Sequence, residues 1–143
     1  MADIVHDVTI KASPEQVFRA VSTPAGLDAW WTENSKGEPR EGAEYELWFG
    51  PECDWRAVVN RCVPDSEFVF EMTAAQPDWL GTRVGFSLDE NEGATRLRFY
   101  HSGWPDANEH YRVSCYCWAA YLRLLKRYVE RGEVVPYEDR LEA

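Results

Sequence analysis

The chain has little positive charge and no run of basic residues. Its 15 Lys and Arg stand against 25 Asp and Glu, which gives a formal net charge of −10 over 143 residues. Because phosphate backbones are held chiefly by clustered Lys and Arg, this balance argues against nucleic acid as a partner. The same negative field repels an anionic membrane surface, whereas an uncharged ligand can still bind inside such a protein.

Long apolar runs are also missing. No segment approaches the roughly 20 consecutive apolar residues of a membrane-spanning helix. The opening MADIVHDVTI has neither the basic start nor the apolar stretch of a secretory signal. We therefore predict no membrane insertion and a cytoplasmic location. The cysteines agree with this prediction, since Cys115 and Cys117 form no C-x-x-C motif and Cys53 and Cys62 are expected on one extended strand, so we expect reduced, mostly buried thiols.

Catalytic signatures are absent as well. The sequence contains no Gly-rich phosphate loop, no G-x-S-x-G, no H-E-x-x-H and no paired metal-ligand motif. We accordingly predict no cofactor and no metal site. Aromatic residues, by contrast, are plentiful: seven Trp, seven Tyr and six Phe make up 14% of the chain. That content suits either a bulky core or an aromatic-lined cavity.

The start of the sequence predicts a strand followed by two short helices. IVHDVTIKA alternates between apolar and polar residues, with His6 on the apolar side. SPEQVFRAV has a serine N-cap, a proline in the first turn and a glutamine that completes a capping box, which predicts a helix over 14–22. TPAGLDAWW repeats the Thr-Pro start and predicts a second helix over 24–31, which ends in adjacent Trp30 and Trp31.

Residues 44–101 predict an antiparallel meander. EYELWF, CDWRAVVNRCV, EFVFEMTA, TRVGFSLD and TRLRFYHS are β-rich runs that short turn signals separate. Arg83, Arg96 and Arg98 take one parity and are expected to face water. The opposite parity predicts the inner face, which comprises Tyr45, Leu47, Phe49, Phe68, Phe70, Met72, Val84, Phe86, Leu88, Leu97, Phe99 and His101.

The last third predicts a long helix over 107–131. Asp106 and Glu109 are expected to form an acidic capping pair, and Gly132 is placed where a C-terminal glycine stop occurs. At about 100° per residue the apolar side chains fill roughly half of the helical wheel, wide enough for a curved sheet to surround. This arc comprises His110, Tyr111, Ser114, Cys115, Cys117, Trp118, Tyr121, Leu122, Leu124, Leu125, Tyr128 and Val129.

The order of these elements resembles the helix-grip fold of the START/SRPBCC superfamily. More narrowly, VTIKASPEQVFRAVSTPAGLDAWWT, residues 8–32, is similar to the opening of bacterial proteins that resemble the C-terminal domain of the heat-shock chaperone ATPase activator. The resemblance implies an α+β fold with a curved antiparallel sheet around the long helix, and one ligand-binding domain over 1–143. Where the family often has an acidic residue after the Thr-Pro, this chain has Ala25 and Gly26. We therefore expect a looser second helix.

Our prediction for function is the binding of an apolar or aromatic small molecule, lipid-like or polyketide-like, in a cavity between sheet and helix. His101 is the expected polar anchor. We also advance the hypothesis that His6, His101 and His110 gather at one mouth of this cavity. The candidate ligand-binding residues are Trp30, Trp31, Phe49, Phe70, Phe86, Phe99, His101, His110, Ser114, Trp118 and Tyr121.

Two other classes of function stay open. An enzyme similar to the cyclases and aromatases of the superfamily would use His or Tyr groups as acid or base. A protein-interaction module of the stress response, related to chaperones, would use the outer face of the sheet. The eukaryotic activator has a separate chaperone-engaging domain, for which a single domain of this length has no room, so the sequence does not support a chaperone partner. A homodimer also stays open.

Overall fold

The structure is a computed structural model that describes residues 2–143, and its elements follow the predicted order. After a first strand and two short helices come six further strands, a long helix and a final short 3₁₀ helix. The elements are β1 (Ala2–Ile10), α1 (Pro14–Ser22), α2 (Pro24–Trp30), β2 (Asn34–Lys36), β3 (Glu44–Trp48), β4 (Asp54–Val63), β5 (Glu67–Ala74), β6 (Arg83–Asn91), β7 (Ala94–Trp104), α3 (Glu109–Arg131) and the 3₁₀ helix Tyr137–Glu142.

The strands form one antiparallel sheet in the order β1-β7-β6-β5-β4-β3-β2. The pairing of β4 with β5 shifts register twice, between Arg56 and Ala57 and between Val59 and Arg61. Such irregularities bend a strand and increase its local twist, so they help the sheet to curve around α3. The predicted α+β helix-grip fold is confirmed.

One strand was not predicted. β2 has only three residues, Asn34–Lys36, and it pairs with β3 at the edge of the sheet. Three residues are too few to show an alternating pattern, and the surrounding Asn, Ser, Gly and Pro predict a loop. The contact with β3 therefore determines this strand, whereas local preference does not.

The predicted inner face is confirmed. Of its twelve residues, Phe49 alone is partly exposed, and the remainder are buried. Arg83, Arg96 and Arg98 are exposed, as their parity predicted. The concave side of the sheet is thus apolar and packs against α1, α2 and α3.

The helix starts follow the predicted capping at two of three places. Ser13 and Gln16 form the capping box of α1, and the Thr23 side chain caps α2. For α3 the predicted acidic capping pair of Asp106 and Glu109 is wrong. Its N-cap is Asn108, whose side-chain oxygen accepts a hydrogen bond from the third helical residue, so the helix begins two residues later than expected.

Gly26, one of the two residues behind the expectation of a looser α2, has a packing role. Gly26 is buried against the end of α1, and a Cβ atom there would lie 2.6 Å from the carbonyl oxygens of Arg19 and Ala20. Glycine at this position permits a close approach of the two helices that a larger residue would prevent.

The predicted C-terminal stop of α3 is confirmed, because Gly132 adopts the left-handed conformation with φ of 69°. All four cysteines are free thiols, as expected, but each is partly exposed rather than mostly buried. Among residues 2–143, no helix has the length and apolar character needed to cross a membrane.

Candidate functional site

Trp30 and Trp31, adjacent residues at the end of α2, contact different neighbours. Trp30 is the last helical residue, and its indole nitrogen donates to the carbonyl oxygen of Ala20 at 2.9 Å inside the core. Trp31 is the C-cap and leaves the helical conformation. Its ring centroid lies 5.3 Å from that of Phe49 and 5.1 Å from that of Trp118. The two indoles also stack on each other, with centroids 6.1 Å apart, and each makes its remaining ring contacts with different neighbours.

A cleft opens beside Trp31, between the first half of α3, the β3–β4 turn region and the β5–β6 loop. Its volume is about 240 Å³. Six of its ten lining residues are Trp, Phe or Tyr, so its walls are mainly aromatic. The residues that line this aromatic cleft are Trp31, Phe49, Trp55, Trp79, His110, Val113, Ser114, Cys117, Trp118 and Tyr121.

Five of these rings form a closed circuit of contacts. From Trp31 the contact passes to Phe49 at 5.3 Å and from Phe49 to Trp55 at 5.1 Å. It continues from Trp55 to Trp79 at 4.9 Å and from Trp79 to Trp118 at 5.8 Å, and returns to Trp31 at 5.1 Å. Since each ring is supported by two others, the wall is held in shape without a ligand.

A chain of hydrogen bonds behind this wall joins the Trp118 ring to the backbone of Trp79. The Trp118 indole N–H donates to His101 Nδ1 at 3.1 Å. Because an indole can only donate, the His101 proton lies on Nε2, which is 2.8 Å from the Thr82 hydroxyl. That hydroxyl in turn donates to the carbonyl oxygen of Trp79 at 2.5 Å. Burial, with a smaller contribution from His110, lowers the pKa of His101 to about 3, so the imidazole is neutral and acts as a fixed link.

His110, a polar residue of the cleft lining, forms a pair with Asp78. His110 lies in the first turn of α3, and its Nδ1 is 3.0 Å from Asp78 Oδ2 in the β5–β6 loop. Asn108, the N-cap of α3, donates to the same oxygen at 3.3 Å. Hydrogen bonds from His110 and then Asn108 lower the pKa of Asp78. An ionised carboxylate thus ties this loop to the start of the helix.

The predicted site residues fall into two groups. Trp31, Phe49, His110, Ser114, Trp118 and Tyr121 line the aromatic cleft. The others lie behind it in the packed core, where Phe86 contacts Trp30 at 6.1 Å and Phe99 at 5.5 Å. The core group comprises Trp30, Phe70, Phe86, Phe99 and His101. His101 is fully buried, and the histidine that lines the cleft is His110 instead.

The three histidines do not meet at one mouth. His6 lies opposite Phe99 in the sheet, and its Nε2 is 3.2 Å from the Cys115 carbonyl oxygen. His101 is buried with Trp118 and Thr82, while His110 pairs with Asp78. The register of β1 with β7 pairs Ile4 with His101. His6 therefore lies two residues further along β1 than the position opposite His101. Over residues 2–143 no group of three or more His, Cys, Asp or Glu side chains is arranged to hold a metal ion.

Four lining residues were absent from the predicted site: Trp55, Trp79, Val113 and Cys117. Trp55 carried a usable signal, because it shares its parity on β4 with two buried residues, Ala57 and Val59. Trp79 follows Gln-Pro-Asp in a turn, where no periodicity indicates the direction of a side chain. Its size alone was informative, since a large indole is seldom left in a solvated turn.

The outer face of the sheet is polar. Arg98 pairs with Asp7 at 2.8 Å and Arg83 with Glu71 at 3.4 Å, in each case across neighbouring strands. Val5 and Val63 are the large apolar side chains exposed on the described strands, and three other strands separate β1 from β4. Ion pairs therefore cover this face. A surface of this kind favours contact with solvent over contact with an apolar surface of a partner protein.

Comparisons with known proteins agree with this architecture. Residues 11–130 match the family model described as "Activator of Hsp90 ATPase homolog 1-like protein". The solution structure of the Aha1 dimer from Colwellia psychrerythraea is 30% identical, with a TM-score of 0.84, over 93% of this chain and 99% of that one. BH1534 from Bacillus halodurans is 25% identical, with a TM-score of 0.76, over 91% and 98%.

A further similar structure is CalU16 from Micromonospora echinospora, at 20% identity and a TM-score of 0.73, over 98% of this chain and 83% of that one. At that identity the likeness concerns the fold alone. No match was found among curated protein sequences.

Proposed function

The chain belongs to the family of Activator of Hsp90 ATPase homolog 1-like proteins, and we propose that it binds an apolar or aromatic small molecule in the aromatic cleft. The observation that carries this proposal is the closed circuit of five touching rings, all of which line a cleft of about 240 Å³. In this proposal residues 1–143 act as one ligand-binding domain.

The volume of the cleft limits the size of the ligand. Sites for drug-sized molecules range from about 300 to 1,000 Å³, whereas an apolar cavity of about 150 Å³ holds a benzene molecule. A cleft of about 240 Å³ thus suits a molecule of one or two rings. A long acyl chain or an extended polycycle would need the inner groove, which Phe70, Phe86 and Phe99 fill.

The source of affinity can be tested directly. Burial of apolar surface depends little on ionic strength, unlike the attraction between exposed charges. We expect 1-aminonaphthalene, an uncharged fluorescent probe, to bind with a salt-independent affinity and to alter tryptophan emission, since four indoles line the cleft. A strong weakening of binding by salt would contradict the proposal.

Two matched substitutions on α3 locate the probe. Ser114 is buried and lines the cleft, whereas Ala119 is exposed on the same helix. Ser114→Phe should lower probe affinity at least tenfold because the new ring occupies the space, and Ala119→Phe should leave it unchanged. Overpacking costs about 1–3 kcal/mol, so circular dichroism must show both variants folded. Val113→Trp, at the half-exposed rim, gives an independent block of the same cleft. Equal affinity in all these variants would place the probe elsewhere.

An enzyme is the second candidate, favoured by the His110–Asp78 pair. A histidine oriented by a carboxylate is an arrangement suited to a general base, and His110 lines the cleft. Catalysis of this kind would exchange acidic C–H protons of a bound ligand with D₂O, and His110→Gln would abolish the exchange. Ligands recovered without deuterium would leave binding as the function.

Assembly and location follow as separate proposals. One relative is described as a dimer, so we propose a homodimer, which sedimentation velocity at micromolar concentration would reveal. We also propose a cytoplasmic location. A chaperone partner has less support, because the outer sheet face that it would use carries ion pairs.

A further inference from the structure

Asp78 determines where His110 carries its proton. An ionised carboxylate can only accept hydrogen bonds, and the hydrogen bonds it receives keep the pKa of Asp78 below its ordinary value. The contact of 3.0 Å between Asp78 Oδ2 and His110 Nδ1 therefore requires the proton on Nδ1. In the neutral imidazole the other nitrogen, Nε2, is then a hydrogen-bond acceptor.

His110 Nε2 has no hydrogen-bond partner within residues 2–143, in contrast to the buried imidazole nearby. Both nitrogens of His101 are engaged, one by Trp118 and the other by Thr82. His110 is partly exposed and lines the aromatic cleft. Its ring also packs edge-on against Trp104, with centroids 5.3 Å apart, so its orientation is supported on two sides.

We infer that the aromatic cleft selects small phenols, whose ring packs between the aromatic walls and whose hydroxyl donates a hydrogen bond to His110 Nε2. This inference rests on the proposed function and narrows its ligand class. The aromatic walls favour a ligand with an aromatic ring. The oriented acceptor, His110 Nε2, favours a ligand whose ring carries a hydroxyl donor. The roles of the pair are distinct: His110 contacts the ligand, and Asp78 is a positioning residue that maintains the tautomer.

A pair of nearly isosteric probes separates the two selections. 2-Naphthol has the hydroxyl donor, and 2-fluoronaphthalene replaces it with a group that cannot donate. Shifts of the indole signals in ¹H–¹⁵N correlation NMR report binding of both. A net hydrogen bond of about 0.5–1.5 kcal/mol corresponds to a preference for 2-naphthol of about twofold to thirteenfold.

Substitution of His110 tests the acceptor. His110→Phe keeps an aromatic ring but removes the nitrogen, so the preference for 2-naphthol over 2-fluoronaphthalene should disappear. His6→Phe is the matched control, because His6 does not line the cleft, and it should retain the full preference. Asp78→Asn should reduce the preference, since an amide can also donate to Nδ1 and move the proton to Nε2.

The outcomes are distinguishable. If the unmodified protein binds both probes with equal affinity, or if His110→Phe keeps the preference, the inference is overturned while the proposed binding function stands. If neither probe binds, both are overturned. The comparison of the two probes on the unmodified protein decides the matter even if His110→Phe does not fold.

Discussion

The two ends of the groove between sheet and helix are both lined by aromatic rings but differ in openness. At the closed end Trp30, Tyr45, Phe68 and Phe86 are fully buried and interlock. At the open end Trp31 and its neighbours enclose about 240 Å³. The difference lies in what covers each end: α1 and α2 cover the first, whereas the first half of α3 and two loop regions border the second without closing it. Aromatic content therefore does not decide whether a groove is filled.

The polar atoms of the rings show the same contrast. At the closed end the Trp30 indole donates to the Ala20 carbonyl and the Tyr45 hydroxyl to the Ser22 carbonyl at 2.5 Å, so the last turn of α1 satisfies both. At the open end the indole nitrogens of Trp79 and Trp104 are buried without a partner among residues 2–143. An unsatisfied donor costs about 1–3 kcal/mol. Both ring donors at the closed end thus have acceptors, whereas two indole N–H groups at the open end have none among residues 2–143.

The adjacent tryptophans give the largest expected effect. Trp30→Ala should lower the free energy of unfolding by about 3–5 kcal/mol, because the ring is fully packed and its hydrogen bond to Ala20 is lost. Trp31→Ala should cost less stability, since Trp31 borders the cleft, but should weaken probe binding. Urea unfolding followed by circular dichroism, with a probe titration of each folded variant, measures both. Equal losses of stability would show that the two ends do not differ in packing.

Arg140 should have the next largest effect, because it joins the C-terminal segment to the end of α2. It is buried, and its guanidinium donates to the carbonyl oxygens of Asp28 at 2.7 Å and Thr32 at 3.0 Å. Arg140→Ala should lower the free energy of unfolding by about 2 kcal/mol. It should also weaken probe binding, because Arg140 holds the backbone on both sides of Trp31, which lines the cleft. Burial lowers the pKa of Arg140, a sign of the desolvation cost that limits the gain. The exposed Arg131→Ala is the control, and a matching loss there would argue against this role.

The pH dependence of stability should show the smallest effect. Burial lowers the pKa of His101 to about 3 from an ordinary 6.5. Below pH 6.5 the unfolded chain binds a proton that the folded chain does not, so the contribution of this group to stability is full above pH 6.5 and lost as the pH falls. The limiting slope is about 1.4 kcal/mol per pH unit.

Urea unfolding between about pH 7.5 and about pH 5.5 measures this slope. His101→Gln should remove the dependence, and His6→Gln should keep it, because His6 is only partly buried. A slope that survives in His101→Gln would assign the pH dependence to other groups. It would also imply that the chain of hydrogen bonds behind the open end tolerates a charged imidazole.

Local patterns predicted much of the fold. The capping residues of α1 and α2 gave the starts of both helices, and the alternation of β3 and β5 to β7 gave the buried face. Patterns failed at two places. β2 exists because it pairs with β3, a contact that lies outside the strand itself. α3 begins at Glu109 because the side chain of its N-cap, Asn108, supplies the capping oxygen, a local contact that was wrongly assigned to Asp106.

The candidate site was less predictable than the fold. Periodicity assigned Phe86 and Phe99 to the same face as Phe49, but only Phe49 borders the cleft. A residue's face depends on its neighbours in sequence, whereas its position along the groove depends on which elements pack there. Trp79 and Asp78 lie in a turn, and turn residues have no period from which a direction could be inferred.

The sequence by itself determined the order of the elements and the inward-facing side chains of the sheet and of the long helix. These follow from repeats of two and 3.6 residues along the chain. Only the tertiary structure decided that the groove is filled at Trp30 and open at Trp31. It also decided that Asp78 meets His110, 32 residues away, and that Arg140 reaches Asp28, 112 residues away. Such contacts depend on how separate elements pack, and no local pattern encodes that packing.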